Sequence, residues 1–171
     1  MNVKDAIEQR RSIRKYLNKT ISEDVIKDLL DAARKAPSAK NTQSHKYFIV
    51  KDRDVINKLR EVHAFEQSFV YDAPLIIVCC ADSRLYPERT KADNSSNNYA
   101  LIDLSIASSF LVLRATELGL GSVFVAWVYA DKIRKVLGIP EEYIIPFVLP
   151  IGYPAENPNP RSRKSLKEII F

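Results

Sequence analysis

Glycine is scarce in this chain of 171 residues, with only four, at positions 119, 121, 138 and 152. A dinucleotide-binding fold needs a glycine-rich turn that opens a helix, and a P-loop needs GxxxxGK followed by Ser or Thr. Neither is present, because "GLG" at Gly119 to Gly121 follows a helical pattern instead of opening one. Histidine is scarcer still, His45 and His63 only, and there is no CxxC, so a metal site has almost no ligands. The two cysteines, Cys79 and Cys80, are neighbours inside the apolar run "PLIIVCCAD". A bridge between adjacent residues is strained and a buried thiol is inert, so both are expected to be structural. No apolar run approaches the ~18–20 residues of a membrane span, and no N-terminal stretch reads as a signal peptide. The expected location is cytoplasmic, away from membranes.

What is present is a mixed pattern of helices and strands without repeats or linkers, read as one α+β domain over residues 1–171. Val3, Ala6 and Ile7 recur at helical spacing up to Arg10. Ser22 caps a second helix, with Glu23 and Asp24 in its first turn and Ile21 and Ile26 at staple spacing; it stops before Pro37. "KYFIV" reads as a strand and "DVINKLREV" as a helix. "PLIIVCCA" is continuously apolar, the pattern of a strand buried on both faces. Asp82 to Asn98 reads as a long polar loop, of the kind that often serves as a lid or binding loop. Tyr99 to Leu118 is the longest predicted helix, and "SVFVAWV" a further buried strand. "DKIRKVLGIP" is a helix capped by Gly138. "YIIPFVLPIGYP" is a strand whose prolines demand an edge or a bulge. The tail ends in the apolar "LKEIIF", with no internal partner in view, and is expected to pack on a second subunit.

The net charge of +5 is unevenly distributed. Arg10, Arg11, Arg14 and Lys15 crowd into six positions around Ser12, and Arg161, Arg163, Lys164 and Lys167 form a second cluster. With no backbone cradle available, a phosphate would have to be held by side chains. Arginine suits that task, since its planar fork gives two parallel charge-assisted hydrogen bonds to one phosphate. One phosphate shared by both clusters would offset the repulsion within each; the alternative is a solvated basic loop. Nucleic-acid binding is disfavoured, because Tyr16 is the only aromatic near the cations.

Two further stretches stand out. "APSAKNTQ", Ala36 to Gln43, packs small polar side chains into a loop. It could serve any turn, or present donors and acceptors to a heteroaromatic ring. In "GSVFVAWV", small Ala126 between Val125 and Trp127 suits either plain core or a ring laid on the backbone.

Taken in order, these segments resemble the nitroreductase family of flavoproteins. "RRSIRKY" is similar to its opening R-x-S-x-R signature, "AARKAPSAKNTQSHKYFIV" to its A-P-S-x-x-N-x-Q segment, and "DLSIASSFLVLRATELGLGSVFVAW" to its central helix, turn and strand. "GIPEEYIIPFVLPIGYPAENPNPRSRKSLKEII" is similar to its closing motifs. The resemblance implies a central, mostly antiparallel sheet flanked by helices, in an intertwined homodimer with one FMN per subunit at the interface. Its phosphate and ribityl contacts would fall on Arg10, Arg11, Ser12 and Arg14, joined by Arg161 and Arg163. Pro37, Ser38, Ala39 and Asn41 would reach the flavin from the partner subunit. Val125 and Ala126 would lie against the isoalloxazine, and Gln67 would face its pyrimidine edge.

The implied chemistry is hydride transfer from NAD(P)H to FMN, then ping-pong delivery of electrons to nitroaromatics, quinones or similar acceptors, with no side chain as acid or base. The alternatives are a non-enzymatic flavin-binding or sensing protein, and a specialised reductive branch (dehalogenation or flavin destruction). The chain departs from the family pattern at Ser44-His45, where Pro-Trp is usual, and at Ala126-Trp127, where a glycine and a small residue are common. It also lacks the large insertion before the central helix that usually shapes the substrate site.

Overall fold

A computed structural model describes residues 1–86 and 95–171. Its organising element is β2 (Leu75–Ala81), buried at every position. Leu75, Ile77, Cys79 and Ala81 point into one apolar cluster and Ile76, Val78 and Cys80 into another. That is the two-faced burial its unbroken apolar run implies. β1 (His45–Val50) and β4 (Ile144–Gly152) flank it, both antiparallel, and β3 (Gly121–Ser122) pairs with β4, giving the order β1-β2-β4-β3. The expected antiparallel sheet is therefore observed. Burial holds the Cys80 thiol up at about 11, and Cys79 higher still, so neither is a nucleophile at neutral pH.

Helices cover both faces. α2 (Glu23–Arg34) and α4 (Ser95–Glu117) supply Ile26, Leu29, Leu104, Ala107 and Leu111 to the first cluster. α3 (Arg53–Glu61) and α5 (Ala130–Leu137) supply Ile56, Leu59 and Ile133 to the second. Two caps are those the sequence indicates: Ser22 Oγ accepts the Val25 N–H at 3.4 Å, and Gly138 closes α5 with a φ of 68°. Asn2 caps α1 (Val3–Gln9) as well.

Three expectations need correction. Ser95–Asn98 is the first turn of α4, not loop; Ser and Asn are weak helix formers, and the apolar stripe downstream holds the turn in place. The remainder of the expected lid, residues 87–94, lies outside the described residues. Second, "SVFVAWV" continues the β3 ladder for only one residue beyond Gly121 and then runs as isolated bridges, Val125 to Val148 and Val128 to Phe65. Val123 and Val125 are buried while Phe124, Ala126 and Trp127 are exposed. An all-apolar composition hid this alternation, because no helical layer covers the outward face. Third, Ser96–Glu117 is long and apolar enough to cross a membrane by composition. Here it is a core helix, whose Leu104, Ala107, Leu111 and Ala115 are fully buried.

The prolines of β4 are accommodated by a bulge between Cys79 and Ala81 and by side choice. Val148 turns its N–H away from β2, toward Val125 at 2.9 Å. Pro146 and Pro150 share that parity, so their missing donors fall on the sparsely paired side.

The N-terminal segment Ser12–Leu17 straps across the β3–β4 edge. Ile13 N–H bonds Ser122 at 3.1 Å, Leu17 N–H bonds Tyr153 at 2.8 Å, and Ala155 N–H bonds Lys15 at 2.9 Å. Two glycines allow the close approach. A Cβ on Gly121 would lie 2.6 Å from Ile13, and one on Gly152 would lie 2.8 Å from Tyr16 and Pro74. Gly121→Ala is therefore expected to destabilise the fold by about 1–3 kcal/mol, read as a lower urea midpoint at unchanged slope.

Candidate active site

The strap carries the first arginine cluster to the second. Arg10, Arg11, Ser12 and Arg14 line a cavity of about 690 Å³ together with Arg161, Ser162 and Arg163. Clusters some 150 positions apart in the chain thus meet, as one shared anion would require. Their electrostatics differ from those of the other described arginines, Arg53 excepted, which also bonds only backbone carbonyls. Arg34, Arg60, Arg84, Arg114 and Arg134 each pair with a carboxylate. Among the described residues, none of the five cavity arginines makes such a pair. Their nearest acceptors are backbone carbonyls: Arg11 to Glu8 at 2.6 Å, Arg14 to Ser12 at 3.3 Å, and Arg163 to Arg161 at 3.3 Å. The Arg10 guanidinium is held below its usual pKa, first by burial and then by the charges of Arg163 and Arg11. Glu8 also lines the cavity, with Lys4 3.9 Å from its carboxylate, and the arginines still outnumber it, a surplus that a bound polyanion would relieve.

From the arginines the site continues along paired backbone. Ser12 bridges to Ser122, and the segment beyond Ser122 pairs with residues 64–66: Glu66 N–H to Trp127 at 3.3 Å and Tyr129 N–H to Ala64 at 2.9 Å. Gln67 follows directly, and its Oε1 is buried with no hydrogen-bond partner. Two residues on, the Phe69 ring lies 5.9 Å from the Arg14 guanidinium. Of the expected ring contacts, Val125 turns inward, with N–H and carbonyl both engaged by Val148 at 3.0 and 2.9 Å. Ala126 is exposed, and its N–H meets no backbone acceptor among the described residues. A buried amide oxygen without a partner and an N–H without a backbone acceptor thus follow the arginines along one run of paired backbone, but neither Gln67 nor Ala126 lines the cavity itself.

Pro37, Ser38, Ala39 and Asn41 do not line this cavity. They form a separate loop with left-handed backbone at Lys40, Asn41 and Gln43 (φ 55°, 55° and 52°), an unusual density of strain for residues other than glycine. What holds it is Asp103 on α4, 3% exposed, which accepts the Ala39 N–H at 3.0 Å and the Tyr86 hydroxyl. Tyr86 in turn contacts Ser44 Oγ at 3.1 Å and stacks on Tyr99. The sequence reading missed this anchor. Its available signal was a lone carboxylate beside the core stripe of an apolar helix.

Comparisons with known proteins identify the family. The nitroreductase family model matches residues 7–64 and 61–153. A putative NADH dehydrogenase/NAD(P)H nitroreductase of Methanothermobacter thermautotrophicus is 40% identical over 167 residues, covering 94% of this chain and 82% of that protein. An NADH dehydrogenase of Thermus thermophilus is 30% identical over 197 residues, covering 100% and 96%. Among solved structures, a nitroreductase family protein of Clostridium difficile 630 superposes with a TM-score of 0.83 at 30% identity, covering 100% of this chain and 98% of that one. The chain belongs to the nitroreductase family, a family of FMN-dependent oxidoreductases.

Replacing Arg10 and Arg163 together by Ala should weaken FMN binding at least tenfold and flatten its salt dependence, read by flavin fluorescence titration. Unchanged affinity would remove the phosphate from this cavity.

Proposed function

We propose that this chain is an FMN-dependent oxidoreductase that takes hydride from NAD(P)H and passes electrons, by a ping-pong cycle, to nitroaromatic, quinone or similar acceptors. The observation that carries the reading is the set of five unpaired guanidiniums around one cavity, linked by paired backbone to Gln67 and Ala126. Arg10, Arg11, Arg14, Arg161 and Arg163, with Ser12, would hold the phosphate and ribityl chain. Gln67 would address the polar ring edge, and the Ala126 N–H is the free donor beside the ring face. FMN, when bound, supplies the redox chemistry. The chain's own task is orientation and polarisation, which fits a site without a carboxylate pair or triad. The names of the relatives, NADH dehydrogenase and NAD(P)H nitroreductase, support the reductant.

The reading includes a homodimer with the cofactor at the interface, Pro37, Ser38, Ala39 and Asn41 coming from the partner. Two surfaces support it. Leu166, Ile169, Ile170 and Phe171 of the tail are all exposed, and Tyr99, Ile102 and Phe110 form an exposed stripe along α4. Deleting residues 164–171, which spares the five arginines that line the cavity, should shift the protein toward monomer in sedimentation. A fully dimeric truncated protein would exclude the tail from the interface.

The decisive experiment is anaerobic addition of NADH or NADPH to the purified protein. Yellow protein carrying FMN that bleaches within seconds is expected. Bound FMN that stays oxidised would favour a sensing role, and protein that takes up no FMN would overturn the reading.

A further inference from the structure

Trp127 is the chain's only tryptophan and stands 61% exposed, beside the free N–H of Ala126. It is not loose. Its carbonyl accepts the Glu66 N–H at 3.3 Å, and the flanking Val128 and Tyr129 are tied to Phe65 and Ala64. The neighbouring Tyr129 phenol donates to Glu66 Oε2 at 3.0 Å. These ties hold the backbone under Trp127 in place while most of the indole stands in solvent. Large aromatic surface, oriented and left bare, marks a place where something stacks. A small residue here would leave the surface beside Ala126 open; the indole gives it a wall.

We infer that Trp127 is a specificity-determining ledge on which flat, electron-poor aromatic acceptors stack, so that the enzyme selects planar rings over compact ions. Offset stacking of an electron-poor ring on the indole adds attraction beyond area burial, and it demands planarity. This inference rests on the flavin reading above and deepens it by naming what sets acceptor preference.

The test compares the FMN-loaded wild type with Trp127→Ala and Trp127→Phe. The ratio of kcat/KM for a naphthoquinone to that for ferricyanide, which has no ring to stack, should fall roughly three- to tenfold in the Ala variant and largely recover in the Phe variant. Affinity of the oxidised enzyme for hydroxynaphthoate, a planar ring that takes no electrons, should fall by the same factor; it is followed by perturbation of the flavin absorbance. An unchanged ratio with unchanged affinity overturns the ledge. So does an Ala variant that dissociates into monomers and sheds flavin, which would make Trp127 an interface residue. Should the wild type bind no flavin, the flavin reading itself fails, and the ledge is tested separately in that protein. As the sole tryptophan, Trp127 reports directly: saturable quenching of its emission by naphthoquinone sulfonate supports stacking, and purely linear quenching overturns it.

Discussion

The close crossing of Ser12–Leu17 over the edge of β3 and β4 is the constraint on which the rest of the site depends. Two glycines remove the side chains that would hold the strap off the sheet, at distances of 2.6 and 2.8 Å to the would-be Cβ atoms. Tyr16 locks the crossing from inside, its hydroxyl 2.6 Å from the Ile13 carbonyl and 3.2 Å from that of Pro150. Burial pushes this phenol well above its usual pKa, so it remains a neutral donor across the physiological range. Glu156 completes the seam by accepting the Arg14 and Lys15 N–H groups at 2.5 and 3.2 Å. The cationic cavity is therefore set by backbone hydrogen bonding between two ends of the chain, not by the arginines themselves, which repel.

A second device positions the Pro37–Asn41 loop. A carboxylate buried in an apolar interior is costly unless its oxygens are satisfied. Asp103 meets that condition with a backbone N–H and a phenol, and in doing so ties a strained loop to the longest helix. If α4 forms the subunit contact, the loop is fixed relative to the partner as well as to its own sheet. The two halves of the proposed site would then be referenced to rigid elements on opposite subunits.

Much of this was legible in the sequence because local chemistry and tertiary context agree there. β2 reads as doubly buried from its unbroken apolar run, and the helix caps at Ser22 and Gly138 follow from residues that satisfy terminal backbone groups. For the arginine clusters charge allowed two readings, a shared anion or a solvated basic loop, and the fold brings both clusters to one cavity. What was not legible depended on neighbours distant in sequence. The exposed half of "SVFVAWV" is invisible to composition, since Phe124 and Trp127 read as core until one sees that no layer covers them. Ser95–Asn98 are helical against their own propensity, held by packing further down α4. Asp103 reads as one more charge until the loop closes on it.

The chain carries a net charge of +5, and five arginines gather at the cavity. Positive charge is thus weighted toward one locus. The field of the protein is that of a net positive charge displaced toward the site, not a uniformly positive coat. Such a field concentrates phosphorylated molecules at the cavity mouth before any contact forms, and it weakens steeply as ionic strength rises. Loading a dianionic phosphate cancels part of it. The field that speeds capture is thereby diminished by capture itself, and the loaded protein presents a weaker positive field to the molecules that arrive next.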